Sequence, residues 1–167
     1  MSNLEKVLND FSIEFTNLLK SEIIKNDMIA SGKLVNTLEV SSVVLNGSEY
    51  KVILKAEDYL LIIENGRKAG KQPPIANILN WIEVKKILPR PIDGKEITKQ
   101  SLAYLIARHI GKSGIPAKHL ISKTFDQLLE NYEVRIREAI VLDEENKVLG
   151  ILQTTFANDP NVIIYKK

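Results

Sequence analysis

The 167-residue chain is 44% hydrophobic and 26% charged, which suits one domain whose core is built by burial alone. It has no cysteine, which excludes disulfides, thiolate zinc sites and cysteine nucleophiles, and no stretch approaches the roughly 18 apolar residues of a membrane span. The net charge of +2 hides an uneven distribution: residues 65–120 hold 11 Lys/Arg against 3 Asp/Glu, residues 1–64 hold 6 against 10, and residues 121–149 hold 4 against 7.

Ser2 and Glu5 stand at capping-box spacing, and Leu4, Val7, Leu8, Phe11, Phe15, Leu18, Leu19 and Ile23 recur at the helical period. A long N-terminal amphipathic helix is expected. No basic stretch followed by an apolar run precedes it, so the chain is expected to be neither secreted nor membrane-embedded. The β-branched stretch Thr37–Leu45, the hairpin signal Asn46-Gly47 and the run Tyr50–Ala56 predict two antiparallel strands. Tyr59–Ile63 fits strand or helix equally and stops at Glu64-Asn65-Gly66.

Gly66–Gln72 is polar and punctuated by glycine, which predicts an exposed loop. Pro73-Pro74 then starts a helix with Ile75, Ile78, Leu79, Trp81 and Ile82 on its buried face. Leu88–Gly94 reads as a second irregular connection, after which Thr98 caps a helix carrying Leu102, Leu105, Ile106 and Ile110, with Gly111 and Gly114 at its end. Ile121, Phe125, Leu128, Leu129, Tyr132, Ile136 and Ile140 predict another long amphipathic helix. Val148–Phe156 and Val162–Tyr165, separated by Asn158-Asp159-Pro160, are expected to be strands forming a C-terminal β-arm or hairpin. The fold class is therefore α+β: a small antiparallel sheet packed against the long N-terminal helix and further helices, with residues 1–145 as the domain and 146–167 as its strand extension.

The patterns of common catalytic sites are missing. Gly66–Lys71 has three residues between its glycines and Gln72 after its lysine, where a Walker loop needs four and a Ser or Thr to ligand magnesium. Gly111-Lys112-Ser113 ends correctly but has Ile106 where the first glycine belongs. His109 and His119 stand ten positions apart with no ligand partner at helical spacing, so no metal site is expected. His109 reads as partly buried near the apolar stripe of its helix, and His119 as lying at a helix start. Ser31, Ser113 and Ser122 lack a nucleophile elbow. No catalytic residue, metal or cofactor is expected.

The basic middle suits phosphate contact with duplex nucleic acid if Arg67, Lys68, Lys71, Lys85, Lys86, Arg90 and Lys112 share a surface. No aromatic is interleaved among the loop lysines, which disfavours single strands.

Three segments in order resemble the tail-completion and head-tail joining (neck) proteins of tailed bacteriophages and prophages. Ser31-Gly32-Lys33-Leu34-Val35-Asn36-Thr37-Leu38 looks like that family's lead-in to its sheet. Tyr59 through Glu64-Asn65-Gly66-Arg67 is similar to its tyrosine-led strand ending in Glu-x-Gly-Arg, and runs on into Lys71-Gln72-Pro73-Pro74 and a helix with Trp81. Ala103–Ile110 followed by Gly114-Ile115-Pro116-Ala117 resembles its helix, glycine turn and closing helix. The likeness covers residues 4–140; it departs at Lys118, His119 and Leu120, where the family often has an arginine and an aromatic, and after residue 145.

The resemblance implies a non-enzymatic virion subunit in the neck or tail region, assembled in the bacterial host cytoplasm. It implies a homo-oligomeric ring joined to portal or connector, adaptor or tail-tube proteins, with weak contact to genomic double-stranded DNA and no membrane. A ring needs two unlike complementary surfaces per subunit, and the acidic first third and basic middle can supply them. The expected interface residues are Arg67, Lys68, Lys71 and Gln72 in one loop and Arg90 and Asp93 in the other, because exposed loops on a rigid scaffold are where partners are fitted.

Overall fold

The computed structural model describes residues 1–26, 32–45, 49–91 and 94–156. Its elements are α1 (Asn3–Lys25), α2 (Lys33–Thr37), β1 (Glu39–Leu45), β2 (Glu49–Lys55), α3 (Tyr59–Asn65), α4 (Ile75–Val84), α5 (Lys99–Ser113) and α6 (Leu120–Phe156). The two strands pair as an antiparallel sheet, so the fold is α+β. The Asn46-Gly47 turn, Asp93 and the Val162–Tyr165 run lie outside the described residues.

The chain forms two compact units. The first comprises Met1–Phe15, Val40–Ile53 and the chain from Asp126 onward. Its first helix starts as the capping box requires: Ser2 Oγ accepts from the Glu5 amide at 3.1 Å while Glu5 Oε2 accepts from the Ser2 amide at 2.7 Å. Phe11, Phe15, Val40, Leu128, Tyr132 and Ala139 form its core. Phe11 stacks on Phe15 at 5.9 Å and meets the Tyr132 ring edge-on at 5.3 Å. Ser42 of β1 donates to Asn9 of α1, tying the sheet to that helix.

Helices α1 and α6 run antiparallel in this unit, as three polar ties show. Tyr132 Oη donates to Glu14 at 2.6 Å, Arg135 Nη2 to Asp10 at 2.9 Å, and Asp143 accepts from the amides of Asn3 and Leu4, both at 2.9 Å. Asp143 thereby caps the start of α1 from another helix, and those backbone bonds hold its carboxyl below the usual range. Burial, followed by the bond to Glu14, pushes the Tyr132 phenol up.

The second unit comprises Thr16–Glu39 and Leu54–Phe125. Its core holds Leu19, Ile23, Leu34, Leu38, Leu60, Ile82 and Leu120, each fully buried aliphatic side chain contributing about 1.5–3 kcal/mol. Helices α4 and α5 pack together, and Ala103 and Ala107 are completely buried on α5, where small side chains allow close approach. Thr98 caps α5 by accepting from the Ser101 amide at 3.1 Å. Helix α5 passes through Gly111 and stops at Gly114, whose amide donates to Ile110 at 2.8 Å.

Several expectations are corrected. Val148–Phe156 is not a strand but the last turns of α6, because no proline falls between Ile140 and Phe156 and Glu144 and Lys147 pair at i, i+3. Residue 145 therefore falls inside a helix. Tyr59–Ile63, a strand in the resembling family, is α3, a length at which apolar runs suit either state. Thr37 ends the short helix α2, and the strand begins at Glu39. Trp81 is 40% exposed, leaving the centre of the α4 contact to Ile82, and His109 is exposed on α5.

Candidate functional site: a clasped basic loop

The loop Gly66–Gln72 between α3 and α4 is gripped by the α5–α6 connection in the second unit. Arg67 and Ile115 form an isolated antiparallel bridge, each amide donating to the other's carbonyl at 2.8 Å. Further along, the Gly70 amide donates to the Gly111 carbonyl at 2.7 Å, and on the other side Lys118 and His119 donate to the carbonyls of Ile63 and Glu64. Three backbone hydrogen bonds on the loop itself and two on the end of α3 thus fasten a stretch whose sequence predicts an exposed loop.

Glycine is required where these segments cross. A Cβ on Gly114 would lie 2.2 Å from the Arg67 carbonyl oxygen, and one on Gly66 would lie 2.5 Å from that of Ile115. Both also have positive φ, 75° and 69°, which side chains disfavour. At Gly111 a Cβ would lie 2.8 Å from Gln72 Cγ, so the end of the loop rests on the α5 backbone.

Glu64 anchors the clasp. This carboxylate is only 7% exposed, and it caps α6 by accepting from the Ile121 amide at 2.6 Å and the Ser122 amide at 3.1 Å, with the Ser122 hydroxyl as a further donor. Burial works to raise its pKa, but the Ser122 hydroxyl, the two amides and the nearby His119 outweigh it and hold the carboxyl below its ordinary value. His119 takes a left-handed φ of 52° immediately before α6, where it turns the chain into the helix.

The predicted interface residues divide by position. Arg67, Lys68, Lys71 and Gln72 are brought together on the clasped loop. Arg67 is half-buried, and its Nη2 donates to the Lys71 carbonyl at 2.6 Å, so this guanidinium holds the loop's shape. Lys68, Lys71 and Gln72 are exposed, as is Arg90 in the separate α4–α5 connection; Asp93 lies outside the described residues. The cap made by Glu64 was not foreseen. Its signal was a glutamate two residues before the positive-φ glycine, with Ser122 far away in sequence to receive it.

Among the described residues no group of three or more His, Asp or Glu side chains is arranged to hold a metal ion, and no helix is long and apolar enough to cross a membrane. The arrangement can present two lysines and a glutamine from a fixed backbone to a large partner. No known protein family, curated protein or solved structure matches the chain.

Proposed function

We propose that the chain is a structural subunit of a tailed-phage virion, acting in the neck or tail-adaptor region as part of a ring that joins the capsid connector to the tail. The observation that carries this reading is the meeting of two distant segments. Glu64-Asn65-Gly66-Arg67 and Gly114-Ile115-Pro116-Ala117, both resembling parts of neck proteins, cross at one place and depend on each other's glycines. A docking loop held by backbone bonds loses little conformational freedom on binding, which favours assembly over a floppy loop of the same sequence.

Lys68, Lys71 and Arg90 supply positive charge to a neighbour whose contacting surface is acidic, and the acidic segments of another copy are one such surface. The test is electron microscopy of phage particles made with the gene disrupted, beside particles rescued by the intact gene. Filled or leaking heads without functional tails, restored by rescue, are expected. Normal particles would overturn the reading and turn attention to salt-dependent binding of duplex DNA by the basic middle.

A further inference from the structure

Strand β2 leaves one edge of the sheet open. Among the described residues the sheet has two strands, and no backbone hydrogen bond outside that ladder reaches β2. Alternate amides and carbonyls along its outer edge therefore have no backbone partner.

Side chains alternate along the strand, so Tyr50, Val52 and Leu54 share one face and Glu49, Lys51, Ile53 and Lys55 the other. Tyr50 and Leu54 are half-buried, which marks theirs as the packed face, yet Val52 between them is 37% exposed. On β1, by contrast, Val40 is buried and Ser42 is bonded to Asn9 of α1. A valine left open on the packed face of the edge strand is what a missing neighbouring strand leaves. Edges are ordinarily protected by proline or by a charge pointing into the packed face. Strand β2 has no proline, and all three of its charged residues lie on the outer face.

We propose that β2 pairs with β2 of a second copy, antiparallel about Val52, joining two two-stranded sheets into one of four strands. Charge selects both the occupant and the register. In this alignment Glu49 stands opposite Lys55 of the second copy at each end, Tyr50 opposite Leu54, and Lys51 opposite Ile53, while Val52 meets its own counterpart on the twofold axis. Sliding by two residues in one direction sets Lys51 against Lys51, and in the other sets Lys51 against Lys55. Sliding by one turns the two packed faces to opposite sides of the sheet. A parallel in-register pair opposes glutamate with glutamate and lysine with lysine. The strand is thus complementary to itself in one full-length arrangement. Two strands of this length joined edge to edge bury less than the roughly 1,200 Å² of a stable interface, so the dimer is weak and reversible. The inference rests on β2 alone and does not depend on the virion reading.

The test is sedimentation of the full chain over roughly 1–500 μM, beside the charge reversals Glu49→Lys and Lys55→Glu, both at exposed positions and both checked for folding by circular dichroism. A dimer is expected in the wild type, weakened about tenfold by either reversal, because twofold symmetry places each change at both ends of the pair. An equimolar mixture of the two variants should associate as tightly as the wild type, since in the heterodimer every glutamate again faces a lysine. Hydrogen exchange should slow at the β2 amides as concentration rises while α5 is unchanged. A monomer at every concentration overturns the proposal and leaves the edge to a strand of another partner. A dimer that both reversals leave unchanged, a mixture no tighter than its components, or β2 exchange that ignores concentration overturns it as well. Self-association lost in Lys68→Glu/Lys71→Glu instead would belong to the clasped loop and refute it too.

Discussion

Replacing Gly114 with alanine tests whether the crossing of the two loops holds the second unit together. The new Cβ would stand 2.2 Å from the Arg67 carbonyl oxygen and 3.0 Å from the Ala69 amide nitrogen, both backbone atoms that cannot rotate aside. A backbone at φ 75° and ψ −161°, a region kept essentially to glycine, adds about 1–2 kcal/mol for any residue with a Cβ, and opening the crossing sacrifices two hydrogen bonds of about 1 kcal/mol each. The sum is a loss of about 3–4 kcal/mol, or roughly 6–16 °C in Tm for a chain of this size. Gly94 is the control, because its φ is also positive, at 74°, while among the described residues nothing lies within 4 Å of its Cβ position. Gly94→Ala should cost only about 1–2 kcal/mol. Thermal and urea unfolding of the two variants measure the difference, and equal losses would show that the crossing contributes nothing beyond backbone strain.

Other substitutions probe the ties one at a time. Glu64→Ala should destabilise by about 2–4 kcal/mol by orphaning the first amides of α6, read by urea unfolding at neutral pH. Because the folded Glu64 carboxyl lies below its ordinary value, its stabilisation is complete above the unfolded pKa and fades as pH falls through the folded one; Glu64→Gln should flatten that acid limb of the stability profile. Tyr132→Phe keeps the ring on Phe11 and loses the hydroxyl's bonds to Glu14 and Arg135, for about 1–2 kcal/mol in chemical unfolding, so a loss above about 3 kcal/mol would contradict the assigned geometry. Asp143→Asn removes the charge that caps α1, and hydrogen exchange should quicken at the Asn3 and Leu4 amides while α5 stays protected.

The elements with strong local signals were legible. Ser2 and Glu5 announced the start of α1, Thr98 announced α5, and Gly114 ended it, because each motif acts within one helical turn. Short apolar runs were not legible, since Tyr59–Ile63 carries no period long enough to separate helix from strand. Val148–Phe156 misled through its Val, Ile and Thr content, although the unbroken helix from Leu120 carries through it. At the candidate site, composition marked Gly66–Gln72 as a loop, but its fixed shape comes from Ile115 and Gly111, more than 40 residues away in the chain. Glu64 was hidden for the same reason: its partners Ile121 and Ser122 are neighbours only in the folded chain.

The most direct test of the account is complementation by a loop variant. Lys68→Glu/Lys71→Glu alters two exposed side chains and leaves Arg67, the glycines and Glu64 untouched, so the variant should unfold at the same temperature as the wild type. Supplied to phage lacking the intact gene, it should yield filled heads without joined tails in electron micrographs, as the empty complementation does. Normal tailed particles from this stable variant would contradict the claim that the clasped loop is the docking surface of an assembly subunit.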